Sequence, residues 1–95
     1  MTLTMDSLVV QSGDIVACEL AGEMALLHFE SGIYYGLDET GTSIWRLVQS
    51  PRSVREVWEA MLTVYNVDPN RCEEDVLALL QSMIDEHLVE VQPHG

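Results

Sequence analysis

Positive charge is scarce in this chain. Its 95 residues carry 4 Lys and Arg against 16 Asp and Glu, a formal net charge of -12. A phosphate backbone is repelled by such a field, so nucleic acid is a poor partner and none is expected. An anionic membrane surface is disfavoured on the same ground. Long apolar runs are also lacking. No stretch approaches the roughly 20 residues of a membrane span. Residues 1–12 hold neither a positive charge nor a long apolar run, so no secretory signal is read there and the cytoplasm is the expected compartment. The 2 cysteines, Cys18 and Cys72, are far apart and lack the clustered spacing of a zinc site. Both are expected as small buried hydrophobes, with a disulfide opposed by a reducing compartment.

Catalytic signatures are missing too. There is no Gly-x-Ser-x-Gly elbow, no Gly-x-Gly-x-x-Gly and no P-loop. His28, His87 and His94 are not at metal-ligand spacing, and each is expected as a surface or capping residue. The carboxylates of Asp38-Glu39, Glu73-Glu74-Asp75 and Asp85-Glu86 are neighbours on helices and diverge, so they form no paired-acid site. EF-hand spacing is absent. The expectation is a protein without catalysis, cofactor or metal.

What is present is hydrophobic patterning. Of the residues, 47% are hydrophobic, enough for a small core in one domain. Met1 to Ser12 is expected as a flexible or strand-like segment, with Leu8, Val9 and Val10 its strand-forming part. Residues 13–92 read as a single domain. Strands are expected over 15–20, 24–30 and 33–37, joined by turns at Ala21-Gly22-Glu23 and Ser31-Gly32. They make an antiparallel meander. Its middle strand is apolar on both faces, so one face needs cover from the N-terminal segment or from a second copy in a homodimer. Tyr34 and Tyr35 are adjacent in a strand and must face opposite ways.

Helical signals follow. Asp38 caps a first helix, and Ile44, Leu47 and Val48 have helical spacing. Ser53 and Glu56 form a capping box for a second helix, with a stripe at Val54, Val57, Trp58, Met61, Leu62 and Tyr65. Asp68-Pro69 opens a third helix running to about Glu86. Its apolar residues cover more than one stripe, so it contacts two layers or presents a groove. Residues 88–91 alternate as a last strand. The fold class is α+β: a three-stranded antiparallel meander followed by a winged-helix-like three-helix unit.

The stretch Tyr35-Gly36-Leu37-Asp38-Glu39-Thr40-Gly41, then Ile44-Trp45, resembles the signature of the PqqD-like family. The resemblance covers roughly residues 13–92 and rests on order, spacing and chain length. It implies a recognition element for the leader peptides of ribosomally made natural-product precursors. The acidic stand-alone form is most similar to the leader-binding proteins of lasso-peptide gene clusters. It further implies that a leader adds as a strand to Ile33, Tyr34, Tyr35, Gly36 and Leu37. The leader's apolar side chains would enter a groove lined by some of Val76, Leu79, Leu80 and Met83. Glu73, Glu74 and Asp75 would hold basic leader residues, or Arg71 an acidic one. The implied partners are the precursor, a leader peptidase and a cyclase. By sequence alone there is a candidate edge and an over-apolar helix. Two other classes fit a small helical acidic domain: a winged-helix transcription regulator, and an acidic adaptor or inhibitor of a basic protein.

Overall fold

The computed structural model describes residues 3–93. Two small sheets and three helices alternate along the chain. The elements are β1 (Leu8–Gln11), β2 (Ile15–Leu20), β3 (Glu23–His28), β4 (Ile33–Gly36), α1 (Glu39–Leu47), β5 (Arg52–Ser53), α2 (Val54–Val64), α3 (Pro69–Asp85) and β6 (Val89–Gln92). The expected meander forms as β2-β3-β4, all antiparallel. Its first turn is only two residues, Ala21 and Gly22, both at positive φ. That turn twists in the sense a tight hairpin requires.

The N-terminal strand does not cover the meander. It is the middle of a second sheet of order β5-β1-β6, with Leu8 opposite Gln92 and Gln11 opposite Val89. Val9 is fully buried there. Gln11 fixes this sheet to the end of α1: its N–H donates to the Val48 carbonyl at 2.9 Å and its Nε2 to the Trp45 carbonyl at 2.8 Å. One face of the meander therefore packs on the helices through Leu26, Met24 and Tyr35. The opposite face leaves Val16, Leu20 and Tyr34 exposed. Cys18 lies on this open face and is exposed, contrary to the expected burial; Cys72 is buried, and both are free thiols.

The helices start where the caps predict. Asp38 accepts from the Gly41 N–H at 2.8 Å. Ser53 accepts from Glu56 N–H at 3.1 Å while the Glu56 carboxylate accepts from Ser53 N–H at 3.0 Å. Asp68 accepts from Arg71 N–H at 3.0 Å, with Pro69 at the first helical position. α3 ends in a Schellman motif. Leu88 N–H reaches the Met83 carbonyl at 2.8 Å, His87 N–H reaches Ile84 at 3.0 Å, and His87 takes the left-handed φ of 61°. Met83 and Leu88, the residues such a motif brings together, are both buried. The motif turns the chain directly into β6.

The over-apolar reading of α3 resolves into two layers. Cys72, Val76, Leu80 and Met83 face the core, while Leu77, Leu79 and Ile84 are half-buried at its margins. Leu80 is 0% exposed and Met83 3%, so both are core residues. Their expected place in a ligand groove is corrected: neighbouring layers already enclose them. His28 is corrected as well, for it sits on the inner face of β3 and is buried.

Two outcomes follow. Leu80→Ala should cost about 2–5 kcal/mol in urea unfolding, because the site is enclosed and cannot collapse freely; a cost below 1 kcal/mol would place Leu80 at the surface. The Glu56 carboxyl is held below its ordinary pKa of 4.5 by the Ser53 backbone and side-chain hydrogen bonds. A lowered folded-state pKa gives stability that is present above the unfolded value and lost as pH falls through the folded one. The melting-temperature gap between the parent and Glu56→Ala should therefore be widest near neutrality and narrow below pH 4.5.

Candidate functional site

The meander has two outer strands, and their surroundings differ. At β2, Glu19 forms an ion pair with Arg46 of α1, placing charge along that edge. At β4, as at β2, no strand among the described residues pairs on the outer side, and no ion pair among them lies along the β4 edge. The ladder phase follows from one bond. Leu37 N–H donates to the Met24 carbonyl at 2.8 Å, and the same register sets Tyr35 opposite Leu26 and Ile33 opposite His28. Bonded and non-bonded residues alternate in an antiparallel pair. Ile33, Tyr35 and Leu37 therefore turn their backbone groups toward β3. Tyr34 and Gly36 turn theirs toward the open side.

Side chains on β4 alternate as expected. Tyr34 is 71% exposed on the outer face, while Tyr35 is half-buried on the inner one. The Tyr35 hydroxyl donates to Glu86 Oε2 at 2.9 Å, joining β4 to the end of α3. This hydrogen bond, with lesser contributions from burial and the nearby charge, raises the Tyr35 phenol above its usual pKa of 10.0. The phenol stays protonated and the link stays closed at neutral pH. Leu37 is buried and belongs to the core that supports the strand.

Beyond the C-terminal end of β4, a cavity of about 250 Å³ opens between the three helices. Of the expected site residues it gathers Arg71, Asp75, Val76 and Leu79. Glu74 is exposed and does not line it. Thr40, Ile44, Met61, Tyr65 and Cys72 also line the cavity, and sequence reading did not place them there. Ile44, Met61 and Tyr65 were legible only as core-stripe residues; nothing in a stripe says where two helices part. Burial, with a smaller effect from Asp75, pushes the Cys72 thiol above its ordinary pKa of 9.0. It is a poor nucleophile at neutral pH. The result is an apolar hollow with one cation and one carboxylate among its lining residues, in the same domain as a strand edge with open backbone valences. Among the described residues no group of His, Cys, Asp and Glu is arranged to hold a metal ion. No helix among them is long and apolar enough to cross a membrane.

Known proteins share this architecture. The solved structure of TbiB1 in complex with the TbiA(beta) leader peptide is 29% identical, with a TM-score of 0.81 over 90% of this chain and 99% of that one. A lasso peptide synthetase B1 complexed with its leader peptide is 23% identical, with a TM-score of 0.77 over 86% and 96%. The PqqD truncation of Methylobacterium extorquens PqqCD, solved in solution as a stand-alone recognition element, is 18% identical, with a TM-score of 0.76 over 94% and 95%. The last two show likeness of fold. No curated protein matches the chain. The family model of coenzyme PQQ synthesis protein D matches residues 23–89, a span running from β3 through the open strand and all three helices into β6. The chain is a member of the PqqD family.

Proposed function

We propose that this protein is a non-catalytic recognition element that binds the leader peptide of a ribosomally made precursor, of the lasso-peptide kind, by strand addition. The observation that carries the reading is the open edge of β4, which the Tyr35–Glu86 hydrogen bond ties to α3, the helix that also lines the apolar hollow. A disordered leader gains main-chain hydrogen bonds at Tyr34 and Gly36. Each contributes a modest net amount, because the peptide loses water partners and conformational freedom. Affinity then rests on an apolar anchor in the hollow lined by Val76, Leu79 and Met61. Arg71 and Asp75 at its mouth select the neighbouring charges. The relative TbiB1, solved with a leader peptide, supports this assignment.

The bound precursor is then presented to a leader peptidase and a cyclase, which supply the chemistry. The family resemblance is the ground for these partners. The exposed apolar face of the meander leaves surface for such contacts while the β4 edge is occupied. A DNA-reading role is opposed by α3. Its one fixed cation, Arg71, stands against Glu73, Glu74, Asp75 and Asp85.

Calorimetry with the leader peptide of a lasso-peptide precursor that this protein binds tests the reading through two variants. Tyr34→Pro removes an outward N–H at a strand edge, where proline is tolerated. Leu79→Asp puts a charge into the hollow at a half-buried position. Each should weaken binding by about tenfold or more, the cost of a lost charge-free anchor or ladder contact, with an unchanged circular dichroism melt. Parental affinity in both folded variants would rule out this mode of binding.

A further inference from the structure

Glu86 stands where helix electrostatics opposes it. It is the C-cap of α3, and the last turn of that helix holds no basic residue. A carboxylate at this end faces the negative pole of the helix dipole. Its placement is fixed all the same. The Glu86 N–H donates to the Ser82 carbonyl at 3.0 Å, and His87, in the left-handed region, turns the chain away directly after it. The carboxylate then accepts from the Tyr35 hydroxyl at 2.9 Å. This is the one side-chain hydrogen bond between the meander and α3 among the described residues. Glu86 is exposed, so the bond adds little to the stability of the fold. An acid kept against the dipole for so small a return points to a use in function.

The use follows from what the bond connects. Tyr35 lies between Tyr34 and Gly36, the two residues of β4 whose backbone groups are open. Leu79 and Asp75, which line the hollow, lie about two and three turns before Glu86, and so on its face of α3. The bond therefore ties the open edge to the helix face that contributes to the hollow. A peptide that adds to β4 and also seats a side chain in the hollow gains from both contacts only while their spacing is held. Without the bond, β4 pairs with β3 alone, and ordering it against α3 becomes part of the cost of binding.

We propose that Glu86, acting through the Tyr35 hydroxyl, is a positioning residue for the guest peptide: it sets the spacing between open strand and hollow without contacting the guest. The assignment rests on the strand-addition reading above. It is tested by calorimetry with the same leader peptide. Tyr35→Phe and Glu86→Ala should each weaken binding about tenfold, the equivalent of one hydrogen bond. The double variant should be no weaker than either single one, because both remove the same interaction. Glu86→Gln keeps an acceptor oxygen and should restore most of the affinity that Glu86→Ala loses. Amide exchange at Leu37, whose N–H is bonded to Met24, reports on the β3–β4 ladder in each variant and should stay slow. Parental affinity in both Tyr35→Phe and Glu86→Ala, additive losses in the double variant, or Leu37 opening in step with lost affinity would overturn the assignment. Tyr34→Pro separates the two readings. If it weakens binding while Tyr35→Phe does not, strand addition stands and the positioning role falls; if it leaves binding at the parental level, both fall.

Discussion

An amide and a carbonyl on Tyr34, and another pair on Gly36, point away from β3, the one strand that β4 pairs with among the described residues. An open edge is a hazard in a small protein, since any extended chain can add to it. Here the strand is short, four residues, which limits what can pair with it. Specificity can then come from the hollow and its charged mouth, while the backbone supplies a contact indifferent to sequence.

The scaffold holds this edge rigid from three directions. Below it, Leu26 and Leu37 bury β3 and the strand's end in the core. Beside it, the Tyr35–Glu86 hydrogen bond ties β4 to the end of α3, so strand and helix keep a fixed spacing. Behind it, Met24 N–H donates to the buried Thr42 hydroxyl at 3.1 Å, fastening the meander to the first turn of α1. Gly41 matters at that junction: a Cβ there would stand 3.3 Å from Asp38 Oδ1 and 3.4 Å from the Leu37 side chain. The N-terminal strand is kept out of the way in the second sheet, where it pairs with the strand that follows α3. Had it been added to the meander at β4, that edge would be closed.

Much of this was legible in residues. Caps at Asp38, Ser53 and Asp68 announce the helix starts because they satisfy orphan amides locally. The meander follows from alternation and two glycine turns. The partner of β1 was not legible, since strand pairing between residues 9 and 91 is a long-range choice that no local pattern encodes. Nor was the division of labour on α3. Leu79 and Leu80 are neighbours of the same type, yet one lines the hollow and the other is sealed in the core. Periodicity names the apolar positions of a helix but not which of two layers each one meets. His28 shows the same limit: alternation put it beside Leu26, and only the path of α3 buries it.

The most direct test is amide hydrogen exchange at single-residue resolution, with and without a bound leader peptide. The account predicts that Tyr34 and Gly36, exchanging freely in the unbound protein, become protected on binding, while Ile33 and Tyr35, already bonded to β3, change little. Protection confined to the helices, with Tyr34 and Gly36 still exchanging freely, would contradict it.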